Sequence, residues 1–288
     1  MITEDLVQET TESLYSAALR RVPPDTIQAL VAARENEAQD SAKATLDLMV
    51  RSARLAEARD TFVCSDSGVP TYLVEIGGAA QWQGDLKAAI TRGFDHLVDT
   101  ISPPLLKHVN NPLTNERGGP GKDMPSITVD LLGNADHIDI TCVPKALGSG
   151  RWASLRTLIS PSLEDIEACV LDAIIEAGSQ HCPPVVVGVG IGGNFDLTAK
   201  LANRAAYREI GSLNPNPTLA AMEERLTEAA NATGFGPMGV GGSTTALAVH
   251  IDYAFGHGYT PVAVCFNCWI NRRAKARLHS DGRVERLF

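Results

Sequence analysis

Positive charge in excess is missing from this chain. Asp and Glu number 34 against 25 Lys and Arg, a formal net charge of −9, and such a balance argues against a nucleic-acid partner. No run of about 18 apolar residues occurs, so no membrane span is expected. The start, MITEDLVQETTESLY, lacks a cationic stretch ahead of an apolar one, and a secretory signal is not expected either. Aromatics are only 5 %, which leaves the packing to Val, Ile, Leu and Ala. Six cysteines in 288 residues are too few for a disulfide scaffold. A reducing, cytoplasmic setting is the expectation. Glycine is absent from residues 1–67, and nearly every glycine-rich turn follows later.

What the chain does have is a 44 % apolar content, enough for a real core. Residues 5–60 read as helices. Asp25, with Gln28 three positions on, has the pattern of a helix cap. Ile27, Leu30 and Val31 share a face, and Leu46, Met49, Val50 and Ala53 keep a helical spacing. Residues 70–76, 126–131 and 137–143 are strand-like, and NNPLTNERGGPGKDMP between them reads as a long loop. SPSLEDIEACVLDAIIEAG is the clearest helix: Ser162 caps, Asp165 stands at the third helical position and Gly178 ends it. Its apolar face is Leu163, Ile166, Val170, Ala173 and Ile174. Two further helices, a strand through ALAVHIDYA and a strand through PVAVCFNC follow, and HSDGRVERLF reads as a hairpin or tail. No repeat and no linker is visible. The expectation is a single α/β domain over 1–288, with α+β as the alternative class and residues 1–60 as a helical layer on a mixed sheet.

The cysteines carry the chemistry. Cys265 and Cys268 satisfy Cys-x2-Cys, but a zinc site wants a second such knuckle and none exists. A thioredoxin-like pair opens a helix, whereas this pair ends a Val-rich strand followed by Arg272, Arg273 and Lys275. Those cations suit a thiolate, a cluster or an anionic substrate, or simply a solvated surface. Cys64 lies in VCSDSG and Cys182 in HCPPVVVGVGIGG, both at element boundaries. Iron–sulfur ligands can be remote in sequence, and Cys64, Cys182 and one of the final pair would leave one iron open. Cys142 in a strand and Cys169 in a helix read as packing residues. GVGIGG, residues 188–193, lacks the full dinucleotide-binding spacing and reads as a tight strand-to-helix turn. A helix start at Asp196 would aim main-chain donors toward an anion.

Together and in this order, CSDSG, CPPVVVGVGIGGNFDLTAKLA, GSLNPNP, GFGPMGVGGSTTALAVHID and VAVCFNCWINRRA resemble the α subunit, or N-terminal region, of class I fumarate hydratases and L(+)-tartrate dehydratases. The resemblance covers nearly the whole chain. It implies an oxygen-sensitive [4Fe-4S] cluster with one open iron, ligated by Cys64, Cys182 and Cys268, with Cys265 a bystander. It implies reversible addition or removal of water on a small di- or hydroxy-carboxylic acid such as fumarate, malate or tartrate. Asp66 and His257 match active-site positions of the family, His257 with one residue deleted before the last ligand. Ser65 stands where CQDTG has glutamine. Lys107 falls where relatives usually carry arginine, which preserves an anion-binding charge without a planar clamp. Lys145 and Ser149 lie in VPKALGSG, similar to the family's MPKGGGSE, and would line the substrate. A separate β subunit and an α2β2 assembly are implied, with activity only in the pair. The alternative is a non-enzymatic zinc, redox or assembly subunit that has lost catalysis.

Overall fold

A computed structural model describes residues 1–104, 109–118 and 121–288. In chain order, three helices come first: α1 (Glu4–Arg20), α2 (Pro24–Asn36) and α3 (Asp40–Ala58). Next are β1 (Val69–Ile76), α4 (Leu86–Thr100), β2 (Val109–Asn110), β3 (Arg117–Gly118), β4 (Ser126–Leu131) and β5 (His137–Lys145). Then follow α5 (Leu147–Gly150), β6 (Ser154–Ile159), α6 (Leu163–Ala177), β7 (Val185–Gly192), α7 (Phe195–Ala206) and α8 (Pro217–Ala232). The chain closes with β8 (Ala246–Ala254), β9 (Tyr259–Asn267), β10 (Ala274–His279) and β11 (Val284–Arg286). The fold is α/β with mixed sheets, and among the described residues no helix is long and apolar enough to cross a membrane.

Two compact units interleave along the chain. The first comprises residues 1–23, 54–145 and 272–288, the second residues 24–53 and 146–271. The first unit holds a five-stranded sheet in the order β11-β10-β5-β1-β4. Only β1 and β4 run parallel in it. Leu14 and Leu19 of α1 and Ile90 and Phe94 of α4 pack with Tyr72, Ile138 and Ile140 in one apolar cluster. The loop reading of residues 110–125 needs a small correction, because β2 and β3 form a two-residue antiparallel ladder there.

The second unit holds the sheet β6-β9-β7-β8. Strand alternation explains its layers. Val185, Val187 and Val189 of β7 and Val262, Val264 and Phe266 of β9 belong to one cluster with Ile166, Val170 and Ile174 of α6 and Met222 and Leu226 of α8. The alternate positions face α7, where Ala263 and Cys265 of β9 meet Ala202 and Ala206. At Gly188 and Gly190 a Cβ would collide with the main-chain oxygens of Ala202 and Thr198 respectively. These glycines of GVGIGG exist for close helix-to-strand approach. We therefore expect Gly190→Ala to lower unfolding free energy by about 2 kcal/mol through overpacking, read from the urea midpoint.

Local signals mostly hold. Ser162 and Asp165 form a full capping box, and Gly178 follows the last turn at φ 56°. Leu163 departs from its expected face and is 44 % exposed, because it is the first helical residue, ahead of the turn that packs. Asp25 lies inside the first turn of α2 rather than capping it, and its Oδ2 accepts from Ile210 N at 2.8 Å.

Candidate active site

In the first unit the loop 62–68 leaves α3 and enters β1. It is fastened at several points. Val63 N donates to Leu19 O at 3.2 Å, and Tyr15 Oη donates to Ser67 O at 3.3 Å. Arg272 Nη1 donates to Asp66 O at 2.6 Å. Asp66 folds into an Asx turn, its Oδ1 accepting from Gly68 N at 2.9 Å. Gly68, at φ 73°, is placed where a Cβ would lie 2.7–2.9 Å from the main chain of Pro144 and Lys145, so only glycine lets the loop close on the end of β5. The outcome gathers Cys64, Ser65, Asp66 and Lys145 at one end of the β1–β5 pair, where Val69 is registered with Lys145. Cys64 is half-buried, while Ser65 and Asp66 are exposed.

In the second unit, Cys182 precedes β7 and Cys268 follows β9, two antiparallel neighbours with Val186 opposite Asn267. Trp269 N donates to Cys182 O at 3.1 Å, which ties the two strand ends together. Trp269 packs with Leu30, Leu46, Met49 and Val50 of α2 and α3. Asn271 adds two restraints: its N donates to Cys268 O at 2.8 Å, and its Nδ2 donates to Thr26 Oγ1 at 3.1 Å. Cys182 sits at φ 57°, a left-handed conformation that costs a non-glycine residue roughly 1 kcal/mol or more and that surrounding structure must enforce. A Cβ at Gly148 would lie 4.0 Å from Cys182 Sγ, so the absent side chain leaves the thiol room on that side. Ser149, next along α5, is buried, with its Oγ 3.4 Å from Ala146 O.

The six cysteines form no disulfide and separate by environment. Cys64, Cys182 and Cys268 are half-buried, while Cys142, Cys169 and Cys265 are buried. Burial pushes the Cys142 thiol well above its ordinary range and raises Cys169 as well. Cys265 points toward α7, its Sγ donating to Ala202 O at 3.3 Å. Among the described residues no group of three or more His, Cys, Asp or Glu is gathered to hold a metal ion.

His257 is not brought to Cys182 or Cys268. It lies in the β8–β9 turn, and the nine residues of β9 run between it and Cys268, about 30 Å at the strand rise. It is exposed and stacks on Tyr259 at 5.2 Å between ring centroids. Tyr259 N donates to His257 Nδ1 at 3.0 Å. That contact makes Nδ1 the acceptor and leaves the neutral ring's proton on Nε2. Lys107 lies outside the described residues. At the head of α7 the cap is Asn194, whose Oδ1 accepts from Leu197 N at 3.1 Å, with Asp196 inside the first turn. Its own carboxylate there disfavours the anion site expected near Asp196.

Two features escape a linear reading. His181, immediately before Cys182, is fully buried against Phe266, with both ring nitrogens unpartnered. Burial lowers its pKa to about 4, so the ring is neutral near pH 7. Only its position after a helix terminator marks it in the sequence. The second is the link from Arg272 to the Asp66 carbonyl, made across 206 residues.

Comparison with known proteins supplies what geometry alone does not. The family model described as fumarate hydratase (Fumerase) matches residues 8–277. The chain is 34 % identical over 285 residues to the Methanocaldococcus jannaschii protein named "Putative L(+)-tartrate dehydratase subunit alpha", covering 96 % of this chain and 99 % of that one. It is 30 % identical over 272 residues to the L(+)-tartrate dehydratase subunit alpha of Escherichia coli strain UTI89, covering 93 % and 89 %. The strain K12 protein of the same name is 29 % identical over 272 residues. A match that runs almost end to end, through both compact units and every cysteine-bearing loop, places this chain in the fumarate hydratase family of hydro-lyases.

Proposed function

We propose that this chain is the cluster-bearing α subunit of a [4Fe-4S]-dependent hydratase or dehydratase acting on a small di- or hydroxy-carboxylic acid, of the fumarate–malate or tartrate kind. The observation that carries the reading is the pairing of Cys182 with Cys268. Two half-buried thiols stand at adjacent strand ends tied by the Trp269–Cys182 main-chain bond, beside a residue with no side chain. Thiolates are the ligands iron–sulfur clusters use, and a third comes from Cys64 in this proposal. The donor set fits in type and exposure, and three-thiol ligation is a claim about the loaded protein. When bound, the cluster supplies a Lewis acid at its one iron without a protein ligand, which favours departure of hydroxide.

The chain's own residues then have these tasks. Asp66 has one carboxylate oxygen fixed by Gly68 N, so the other is held in a set direction to orient the acid or move a proton at its α-carbon. Lys145 supplies a cation for a substrate carboxylate, and Ser65 and Ser149 supply hydroxyls. Lys107 adds a point charge in the same proposal. His257, about 30 Å along β9 from Cys268, takes a substrate role only if a second chain of the assembly presents it. A β subunit as partner, an α2β2 stoichiometry and a cytoplasmic setting complete the reading; the relatives' names, each a "subunit alpha", support the partner.

The rival zinc or redox knuckle at Cys265 and Cys268 is disfavoured by the Cys265 thiol, which is turned into the α7 layer and hydrogen-bonded there. The test is anaerobic co-expression with a β-subunit chain of this family. Iron and acid-labile sulfide are then measured, and the loss or gain of water is followed on fumarate, mesaconate, malate and tartrate. Bound cluster with turnover of one of these acids is expected. Zinc in place of iron, or a full cluster with no turnover on any acid, sinks the assignment.

A further inference from the structure

Arg272 is only 4 % exposed. Its Nη1 donates to Asp66 O at 2.6 Å, while its Nη2 is buried and has no hydrogen-bond partner. Among the described residues it makes no ion pair. Tyr15 and Cys142 both feel the guanidinium, but burial pushes both of their ionisations upward, so each remains neutral near pH 7. The carboxylate of Asp66 is engaged with Gly68 N, and it is the Asp66 carbonyl that meets Arg272.

The contrast with Arg277, five residues on in the same unit, is instructive. There the guanidinium forks onto Asp139 through two bonds of 2.8 and 3.0 Å. A purely structural arginine, here a partly buried one, is satisfied in that manner. Arg272 is tied on one side and open on the other. A buried cationic donor without an acceptor is unfavourable unless an anion visits it.

We propose that Arg272 is an anion-binding residue whose unpartnered Nη2 receives a carboxylate oxygen of the acid substrate at the Cys64–Asp66 loop. The proposal rests on the functional reading above, that the chain handles a small carboxylic acid. A carboxylate suits the donor because charge-assisted N–H···O bonds are short and strong. It would also place the acid within reach of Asp66, whose main chain the same guanidinium holds. One side chain would thus set both the loop and the ligand.

The experiment compares Arg272→Gln and Arg272→Lys with the parent protein, each purified anaerobically with any chain that co-purifies. Succinate, an unreactive saturated dicarboxylate, is the probe, and its neutral diamide is the control, both by calorimetry. Iron, sulfide and unfolding temperature are measured on the same samples. Glutamine retains a donor for the Asp66 carbonyl but not the charge. We expect it to weaken succinate roughly 10- to 100-fold, with diamide binding, iron and sulfide unchanged. Lysine should recover most of the loss. A folded glutamine variant that binds succinate as the parent does overturns the proposal and leaves Arg272 a fastener of the loop. Loss of iron and sulfide in that variant also overturns it, because Arg272 then serves to hold the Cys64–Asp66 loop for metal rather than to bind the acid. Should glutamine fail to fold, the lysine variant decides: a folded lysine protein that neither binds succinate nor responds to it in KM as an inhibitor overturns the cationic role. A parent protein that binds no dicarboxylate at all overturns the functional reading itself, an outcome distinct from the others.

Discussion

Cys64→Ala, Cys182→Ala and Cys268→Ala are each expected to bring iron and sulfide to background and to lower hydro-lyase activity by roughly 10³-fold or more, equivalent to about 4 kcal/mol of transition-state stabilisation. On the proposed ligation, removing a thiolate would remove the cluster, and hydroxide would depart without the Lewis acid it would supply. Cys265→Ala is the control with a structural basis. That side chain is 5 % exposed, lies in the cluster with Ala202, Ala206 and Ala263, and donates to Ala202 O. Its loss should cost about 1 kcal/mol of stability and leave iron content intact. Metal analysis alongside activity separates the readings. An iron-free Cys265→Ala protein with an iron-replete Cys64→Ala protein would hand the site to the Cys-x2-Cys knuckle.

The largest expected effect on stability lies at Asp139. Its carboxylate is 3 % exposed on β5. It accepts from Arg277 Nε and Nη2 and stands 3.1 Å from Lys275 Nζ. Burial alone would raise its pKa. The Arg277 hydrogen bonds and the two cations outweigh burial and hold it below the usual carboxylate range. Asp139→Ala leaves Arg277 without its forked counter-charge and Lys275 with Glu75 alone, 3.3 Å away. Because the Arg277 side chain is 32 % exposed, solvent screens part of the penalty, and we expect a loss of about 3 kcal/mol rather than the upper end for a fully buried pair. The pH dependence has a definite sign. With the folded pKa below the unfolded value of about 3.9, the Asp139 contribution is complete above that value and declines as pH falls through the folded one. Urea midpoints at neutral pH and near pH 3 should therefore differ less in Asp139→Ala than in the parent chain. An unchanged difference would mean that other carboxylates govern the acid limb.

Local chemistry made much of the fold readable in advance. The Ser162–Asp165 box, the Gly178 terminator and the valine-rich strands each obey rules that act within a few residues, and they stand where the pattern places them. What depends on distant partners was not readable. Asp25 has a capping residue's chemistry, yet Ile210 N claims its carboxylate. Gly188 and Gly190 read as part of a strand-to-helix turn, yet both lie inside β7 with α7 seated against them. The division into two compact units falls at Pro23–Pro24, inside α3, and at Lys145–Ala146 and Asn271–Arg272; the first is a proline pair, but the break inside α3 has no proline or glycine to mark it. At the candidate site, residue types were legible and positions were not. His257 is near Cys268 in number but at the other end of an extended strand. Arg272 and Asp66 are 206 residues apart and directly bonded.

The way the Cys182 and Cys268 turns are built has a consequence for damage by oxygen. Their main chains are pinned by Trp269, Asn271 and Thr26, and the cores of both units close on aliphatic and aromatic side chains without help from any of the three thiols. Where a zinc finger collapses when stripped of its ion, this scaffold would outlast the loss of the proposed cluster as a folded receptacle. Inactivation in air would then be a reversible emptying, and refilling from an iron–sulfur donor would require no new synthesis of the polypeptide.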